Sequence, residues 1–269
     1  MKAVLLYANE DSGLQTRLEA ALDLVRLFDG HLLCVHVTPY DRFIMSDPFG
    51  GVYALPTVIE AVQETEDQQR AKLEEKLRGE GVSWDWLHFD GEPAQIVVDR
   101  SRLSDVIVVT PATEGSDYDG PAGMATEVAL HARAPVLAVP GGKLGIDLFR
   151  PAVIAWNGSQ ESCNALRLTA SLLARASMVH VVTVIEGETD FPSTYAAKYL
   201  AHYGIRSELH DWPQDGRTIA GALIDAAAVL DASYVVMGAY GHSRFRETML
   251  GGVTRDMLRH SPVPLLLAH

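Results

Sequence analysis

The sequence predicts an α/β fold made of two tandem, doubly wound parallel-sheet domains. Short apolar runs rich in β-branched residues alternate with segments of helical periodicity, and the same order of elements occurs twice along the 269 residues. Each half also closes with a proline and an apolar strand. Alternating strands and helices imply a parallel sheet that is covered by helices on both faces. We place the two domains at residues 1–144 and 145–269.

The first half begins with a predicted strand at residues 3–7, a helix at 12–28 and a second strand at 31–37. It carries extra length between Pro39 and Gly79. There a Pro/Gly-rich loop with Met45, Phe49 and Tyr53 precedes a long charged helix, predicted from about Thr57 to Arg78. The loop is a candidate lid or partner contact, although a loop that packs on its own domain is the commoner outcome. Further strands are predicted at residues 84–90, 105–109 and 134–140.

The second half repeats this order after a linker at residues 141–145. Strands are predicted at residues 152–156, 178–185, 232–237 and 263–269, and helices at 159–176, 195–203 and after Gly252. The segment 195–203 is a short counterpart of the long helix of the first half. Both halves therefore supply the elements of one parallel-sheet domain.

Composition limits the function. The chain has 35 acidic and 22 basic side chains and a net charge of -13, which argues against a nucleic-acid partner. Because no apolar run approaches the ~20 residues that cross a bilayer, we predict no membrane span. The N-terminal segment is unlike a signal peptide, so the predicted location is cytoplasmic. Cys34 and Cys163 are predicted to be buried, reduced thiols.

The histidines and the strand at residues 84–90 do not predict a catalytic or metal site. We interpret His36 and His180 as satisfied interior residues, and no His-x-x-x-His spacing is present, so no structural metal is predicted. Strand alternation puts Asp85 and His88 on opposite faces. P-loop and Gly-x-Gly-x-x-Gly patterns are also missing from the sequence.

The most informative segment is the glycine loop, which we define as residues 238–252. It follows directly on the predicted strand 232–237 and precedes a helix. Glycines let a ligand approach the backbone, and helix N-termini favour phosphate. His242, Arg244 and Arg246 add positive charge, although a solvated basic loop around a tight strand-to-helix turn is the alternative. The glycines in question are Gly238, Gly241, Gly251 and Gly252.

With this loop, the chain resembles the universal stress protein family in its tandem, two-domain form. The family's pattern is Gly, two residues, Gly, nine residues, Gly and then Ser or Thr, and Gly238, Gly241 and Gly251 match it. The resemblance implies an adenine-nucleotide α-hydrolase-like fold. It also implies that ATP, with or without Mg²⁺, is held by the backbone of the glycine loop and Val253.

The resemblance also assigns residues outside the loop. Asn157 stands where the family usually has an aspartate at the end of the first strand, and Val184 falls on the family's backbone contact to adenine. A turn residue at a strand end is the alternative for Asn157. Gly252 replaces the hydroxyl that normally meets a phosphate, a loss of about 1 kcal/mol. Thr254 is a candidate substitute, or an ordinary residue of the first helical turn.

The first half lacks this loop. After the strand at residues 105–109, Pro111 removes a backbone donor, and Glu114, Asp117 and Asp119 would repel phosphate. We therefore predict no nucleotide site in residues 1–144.

Three functions remain open. The first is a non-catalytic stress-response module that binds ATP in its second half and signals to an unknown protein partner. The second is slow ATP hydrolysis or phosphoryl transfer at the same site, with His242, Asp225 or Glu247 as the base. The third is an interaction module without nucleotide. The terminal strands 135–139 and 264–268 resemble edge strands that could pair with each other, giving a pseudo-dimeric monomer or a homodimer.

Overall fold

The computed structural model describes residues 1–39, 45–46, 52–53, 56–111, 123–142, 145–184, 191–241 and 252–269. Strands and helices alternate along both halves, as the sequence predicts. The strands are β1 Ala3–Tyr7, β2 His31–Thr38, β3 Met45–Ser46, β4 Val52–Tyr53, β5 Ser83–Asp90, β6 Val106–Val109, β7 Val136–Ala138, β8 Ala152–Ala155, β9 Val179–Val184, β10 Ser207–Trp212, β11 Tyr234–Gly238 and β12 Leu265–Ala268. The helices are α1 Leu14–Phe28, α2 Pro56–Glu80, α3 Pro93–Arg100, α4 Gly123–His131, α5 Gln160–Leu173, α6 Ser193–His202, α7 Ile219–Val229 and α8 Gly252–His260.

One ten-stranded sheet passes through both halves, in the order β10-β9-β8-β11-β12-β7-β6-β1-β2-β5. In this sheet, all strand pairs within a half are parallel, while β3 and β4 form a separate antiparallel pair. The halves meet where β12 pairs antiparallel with β7, with Leu266 opposite Leu137. The two terminal strands therefore pair with each other, as predicted from their sequences.

Each half has a topological switch point beside its first strand. β1 lies between β2 and β6, and β8 lies between β9 and β11. The chain crosses to one side of the first strand and later returns to the other side. In open α/β sheets, the crevice at the carboxyl ends of such strands is where ligands bind.

The apolar residues form a core layer on each face of the sheet, and both layers continue from one half into the other. On one face, Leu6 and Leu22 belong to the same buried cluster as Ile154 and Leu173. On the other face, the residues of α4 share a cluster with those of α7 and α8. Because strands covered on both faces are buried, they read as apolar runs, which is why the sequence locates them well.

Helix ends differ from the predictions by a few residues. α1 begins at Leu14, after Asp11 Oδ1 accepts the backbone N–H of Gly13 at 2.7 Å. α5 begins after Ser159, whose hydroxyl accepts the N–H of Ser162 at 3.2 Å, and it ends at Leu173 instead of Ala176. α2 extends slightly beyond the prediction at both ends. No described helix combines the length and hydropathy that a membrane crossing requires.

The side chain of Arg17 is fully buried beneath the carboxyl ends of β1 and β6. Its Nε donates to the carbonyl of Tyr7 at 2.6 Å, and its Nη1 donates to Asp11 Oδ1 at 2.5 Å and Thr110 Oγ1 at 3.3 Å. Nη2 donates to the carbonyl of Asn9. A buried guanidinium with several acceptors ties the first helix to the strand ends.

We expect Arg17→Met to lower the free energy of unfolding by about 3 kcal/mol, because it leaves buried acceptors without their donor. Arg26→Met is the matched control. Arg26 pairs with Glu80 on the surface and is 42% exposed, so its loss should cost less than ~1 kcal/mol. Denaturant unfolding of the two variants checks the difference, and equal losses would contradict it.

Candidate functional site

The glycine loop connects a strand to a helix at the switch point of the second half. Gly238 is the last residue of β11, and Gly252 is the first residue of α8. Both ends of the loop therefore lie where the sequence predicts them. His242, Gly251 and the two loop arginines lie outside the described residues.

Gly238 is required by packing. A Cβ atom at this position would lie 2.6 Å from the backbone N of Ser162 and 2.7 Å from the carbonyl carbon of Glu161. These atoms belong to the first turn of α5, so that helix rests directly on the end of β11. The alternative interpretation, in which the glycine shapes a tight junction, is sufficient for Gly238.

Glu161 is a site residue that the sequence reasoning missed. A Cβ atom on Gly241 would lie 2.9 Å from Glu161 Oε2, so the carboxylate contacts the beginning of the glycine loop. A carboxylate here repels a phosphate bound by the loop. Its sequence signal was weak, since an acidic residue in a first helical turn is ordinary.

Thr254 holds the loop against α8. Its side chain is buried, and its Oγ1 accepts the backbone N–H of Tyr240 at 3.4 Å. Tyr240 has φ 54° and is itself buried in the core cluster that contains α4. Val253 packs partly buried on the same cluster. A Cβ on Gly252 would meet nothing within 4 Å, so the missing side chain there has no steric cause.

Asn157 and Val184 lie at the same edge of the sheet, because β8 and β9 are parallel neighbours. Asn157 is exposed just after β8, and its Oδ1 accepts the N–H of Ser159 at 3.1 Å. This contact corresponds to the turn role given above as the alternative. Val184 is the last residue of β9 and lies opposite Trp212 of β10.

At the corresponding strand ends of the first half, a described side chain bonds across two strands. Asn9 follows β1 and bridges to β2: its Nδ2 donates to the carbonyl of Val37 at 2.7 Å, and its Oδ1 accepts the N–H of Val37 at 2.9 Å. Arg17 is buried near these strand ends. The lack of a nucleotide site in residues 1–144 stays a prediction.

An apolar cavity of about 380 Å³ lies between α5 and α6. Trp156, which follows β8, lines it and donates from Nε1 to the carbonyl of Phe191 at 3.0 Å. Phe191 stacks on Tyr195 with 4.4 Å between the ring centroids. The cavity is therefore adjacent to the carboxyl end of β8, which Asn157 follows. It lies on the opposite face of the sheet from α8.

Among the residues that the structure describes, two groups of histidine and glutamate could hold a metal ion. The sequence did not reveal these groups, because each combines residues from separate segments of the chain. Burial, together with neighbouring His88, lowers the pKa of His36 to about 4. Burial and neighbouring His210 lower the pKa of His180. The groups are His36, Glu66 and His88, and His180, Glu208 and His210.

Comparison with known proteins shows what this chain is similar to. Residues 214–269 match the sequence model of the universal stress protein family. A universal stress protein from Archaeoglobus fulgidus DSM 4304 is similar in structure over 99% of this chain and 96% of its own, with a TM-score of 0.78 and 16% identity. A putative universal stress protein from Pseudomonas aeruginosa UCBPP-PA14 matches 100% of this chain and 93% of its own, with a TM-score of 0.60 and 16% identity.

A half-length match is the universal stress protein from Archaeoglobus fulgidus in complex with dAMP. It corresponds to 46% of this chain and 100% of its own, with a TM-score of 0.36 and 21% identity. No curated protein matches the sequence. The family match and the full-length structures confirm the predicted resemblance to universal stress proteins, and the full-length matches agree with the tandem form.

We expect Gly238→Ala to destabilise the protein by about 1–3 kcal/mol, because the new methyl group must push α5 away from β11. Gly252→Ala should change stability by less than ~1 kcal/mol, since its methyl group enters open space. Thermal and denaturant unfolding of the two variants provides the measurement. A tolerated Gly238→Ala would show that the contact with Glu161 and Ser162 is loose.

Proposed function

We propose that the second half of this chain binds an adenine nucleotide, with ATP as the first candidate, at the carboxyl ends of β8, β9 and β11. The observation that carries the proposal is the strand-to-helix connection from Gly238 to Gly252, which lies beside a switch point of the parallel sheet. It also lies within the segment that matches the universal stress protein family. Backbone N–H groups of such a connection suit an anion.

In this proposal, the phosphates contact Gly241, Gly251, Gly252 and Val253 through the backbone, and the nucleoside lies between the ends of β8 and β9. Asn157 and the backbone of Val184 border that space, because both residues stand at this edge. An asparagine offers a carbonyl oxygen and an amide for ribose or adenine. His242 and Mg²⁺ belong to the proposal as further phosphate contacts.

We assign a binding and regulatory role instead of catalysis. Asp225, one of the candidate bases, lies on α7 in an ion pair with Arg217 at 3.1 Å, and His242 and Glu247 lie outside the described residues. Among the described residues, mainly backbone groups are available to contact a nucleotide. Nucleotide binding at the loop would present a changed surface, and Tyr240 connects the loop's beginning to the core shared with α4. A cytoplasmic protein partner that recognises this surface completes the proposal.

Mass spectrometry of ligand released from freshly purified, denatured protein and calorimetric titration with ATP test this function. We expect an adenine nucleotide or a measurable heat in the native chain, and loss of both in Gly241→Asp, because a second carboxylate beside Glu161 expels phosphate. Gly79→Asp, on the exposed side of α2, is the matched control. Neither nucleotide nor heat at millimolar ATP would reject nucleotide binding.

One observation favours the module without nucleotide, namely the carboxylate of Glu161 beside Gly241. If the loop binds phosphate in spite of it, Glu161→Gln should raise ATP affinity by about 3- to 10-fold, since two like charges about 4 Å apart repel by about 1 kcal/mol when water screens them fully. Glu75→Gln, on exposed α2, should leave the affinity unchanged. Equal affinity of native and Glu161→Gln protein would place the phosphates away from Gly241.

A further inference from the structure

Three side chains with metal-binding atoms converge in the first half, far along the sheet from the glycine loop. His36 on β2 and His88 on β5 are direct neighbours in the strand register. Glu66 reaches them from α2, which covers this part of the sheet. One ligand atom from each of the three residues lies within 4.8 Å of the others. Strand pairing and helix packing, not sequence spacing, bring them together.

The carboxylate of Glu66 is only half satisfied. Its side chain is 15% exposed, and Oε1 accepts a hydrogen bond from the hydroxyl of Thr38. Oε2 is buried and has no hydrogen-bond partner among the described residues. His88 Nε2 is the nearby group, at 3.8 Å from Oε2. A buried carboxylate oxygen that lacks a partner is costly, so it calls for a cation that would complete it.

We infer that His36, Glu66 and His88 form a binding site for a divalent transition-metal ion, with zinc as the best fit. Two nitrogens and one carboxylate oxygen are a known zinc donor set. Ligand distances of about 2.0–2.2 Å at tetrahedral angles put ligand atoms about 3.4 Å apart. The observed 3.8 Å between His88 Nε2 and Glu66 Oε2 thus requires only a small closure. Magnesium and calcium fit poorly, because they prefer oxygen ligands.

The surroundings leave room for the ion. A polar cavity of about 260 Å³ opens onto His36, Glu66 and His88, and Asp67 and Gln63 also line it. These two side chains or a water can supply a fourth ligand. Arg70 borders the cavity, but its Nε is paired with Glu74 at 2.7 Å and its guanidinium lies over the Trp86 ring, with 5.9 Å to the centroid.

A purely polar network is the competing explanation. In it, the Nε2–H of His88 donates to Thr38 Oγ1 at 2.8 Å, and the Thr38 hydroxyl donates to Glu66 Oε1. That arrangement satisfies Oε1 but leaves Oε2 unpaired. A metal ion would instead be coordinated by His88 and by Glu66 Oε2 at the same time. Neutralising the carboxylate of Glu66 therefore distinguishes the two explanations, because only the metal ion binds to Oε2.

The second group offers a matched control. His180 Nδ1 and His210 Nε2 lie 3.0 Å apart, at the distance of a hydrogen bond between the rings. Glu208 is 57% exposed and therefore already solvated. Neutralising Glu208 removes the same charge as neutralising Glu66, but from a carboxylate that water satisfies. An effect on metal binding that is specific to Glu66 thus reports the buried site.

Calorimetric titration of chelator-treated protein with Zn²⁺ tests the inference. We expect the native chain to bind an equivalent of zinc at micromolar concentration or below, and Glu66→Gln to weaken that equivalent at least ~10-fold. His88→Gln, which alters a half-exposed side chain, should have the same effect. Glu208→Gln should retain the equivalent. Far-UV circular dichroism establishes that each variant is folded.

The position of the ion is tested separately, by anomalous scattering from crystals soaked in Zn²⁺. We expect a peak between His36, Glu66 and His88. No zinc uptake by the native chain, native affinity in folded Glu66→Gln, or a loss that follows Glu208→Gln would each overturn the inference. So would a peak only at His180 and His210. Because the readouts use zinc alone, failure here is distinct from a failure of nucleotide binding.

Discussion

The antiparallel pairing of β7 with β12 is the interaction that organises the rest of the molecule. Each half on its own would end in a strand with unpaired N–H and C=O groups, and that edge is a liability for any sheet. By pairing the two edges, the chain makes one ten-stranded sheet with a continuous core layer on each face. The pairing also makes the parallel strands of the two halves run in opposite directions. The carboxyl ends of the strands in one half therefore lie at the opposite end of the sheet from those in the other half.

This arrangement lets the two halves diverge in their chemistry. At the strand ends of the first half, Asn9 bridges β1 to β2, and the buried guanidinium of Arg17 bonds to the carbonyls of Tyr7 and Asn9. In the second half, Asn157 Oδ1 accepts the N–H of Ser159 within its own turn. The same residue type thus makes different hydrogen bonds at equivalent positions of the two halves.

What the sequence predicts well is local or fixed by strand burial. The two ends of the glycine loop follow from the apolar run that ends in Gly238 and from the helical spacing after Gly252. The contact of Glu161 with Gly241 could not be predicted, because it depends on how α5 crosses the end of β11. Thr254 points inward for a similar reason, since the starting turn of α8 determines which face its hydroxyl occupies. Strand alternation correctly separates Asp85 from His88 but says nothing of His36 on the neighbouring strand.

The attachment of α2 explains why the polar contacts around Glu66 matter for the fold. A helix of 25 residues is about 37 Å long, yet its fully buried apolar residues, Leu73 and Leu77, both lie near its carboxyl end. From residue 57 to residue 72, no side chain is fully buried. Over that stretch, the described contacts to the sheet are polar: Glu66 accepts from the Thr38 hydroxyl and lies near His88, and the Arg70 guanidinium lies over the Trp86 ring. Because apolar burial stabilises only one end, these polar contacts contribute to holding the middle of α2 on β2 and β5.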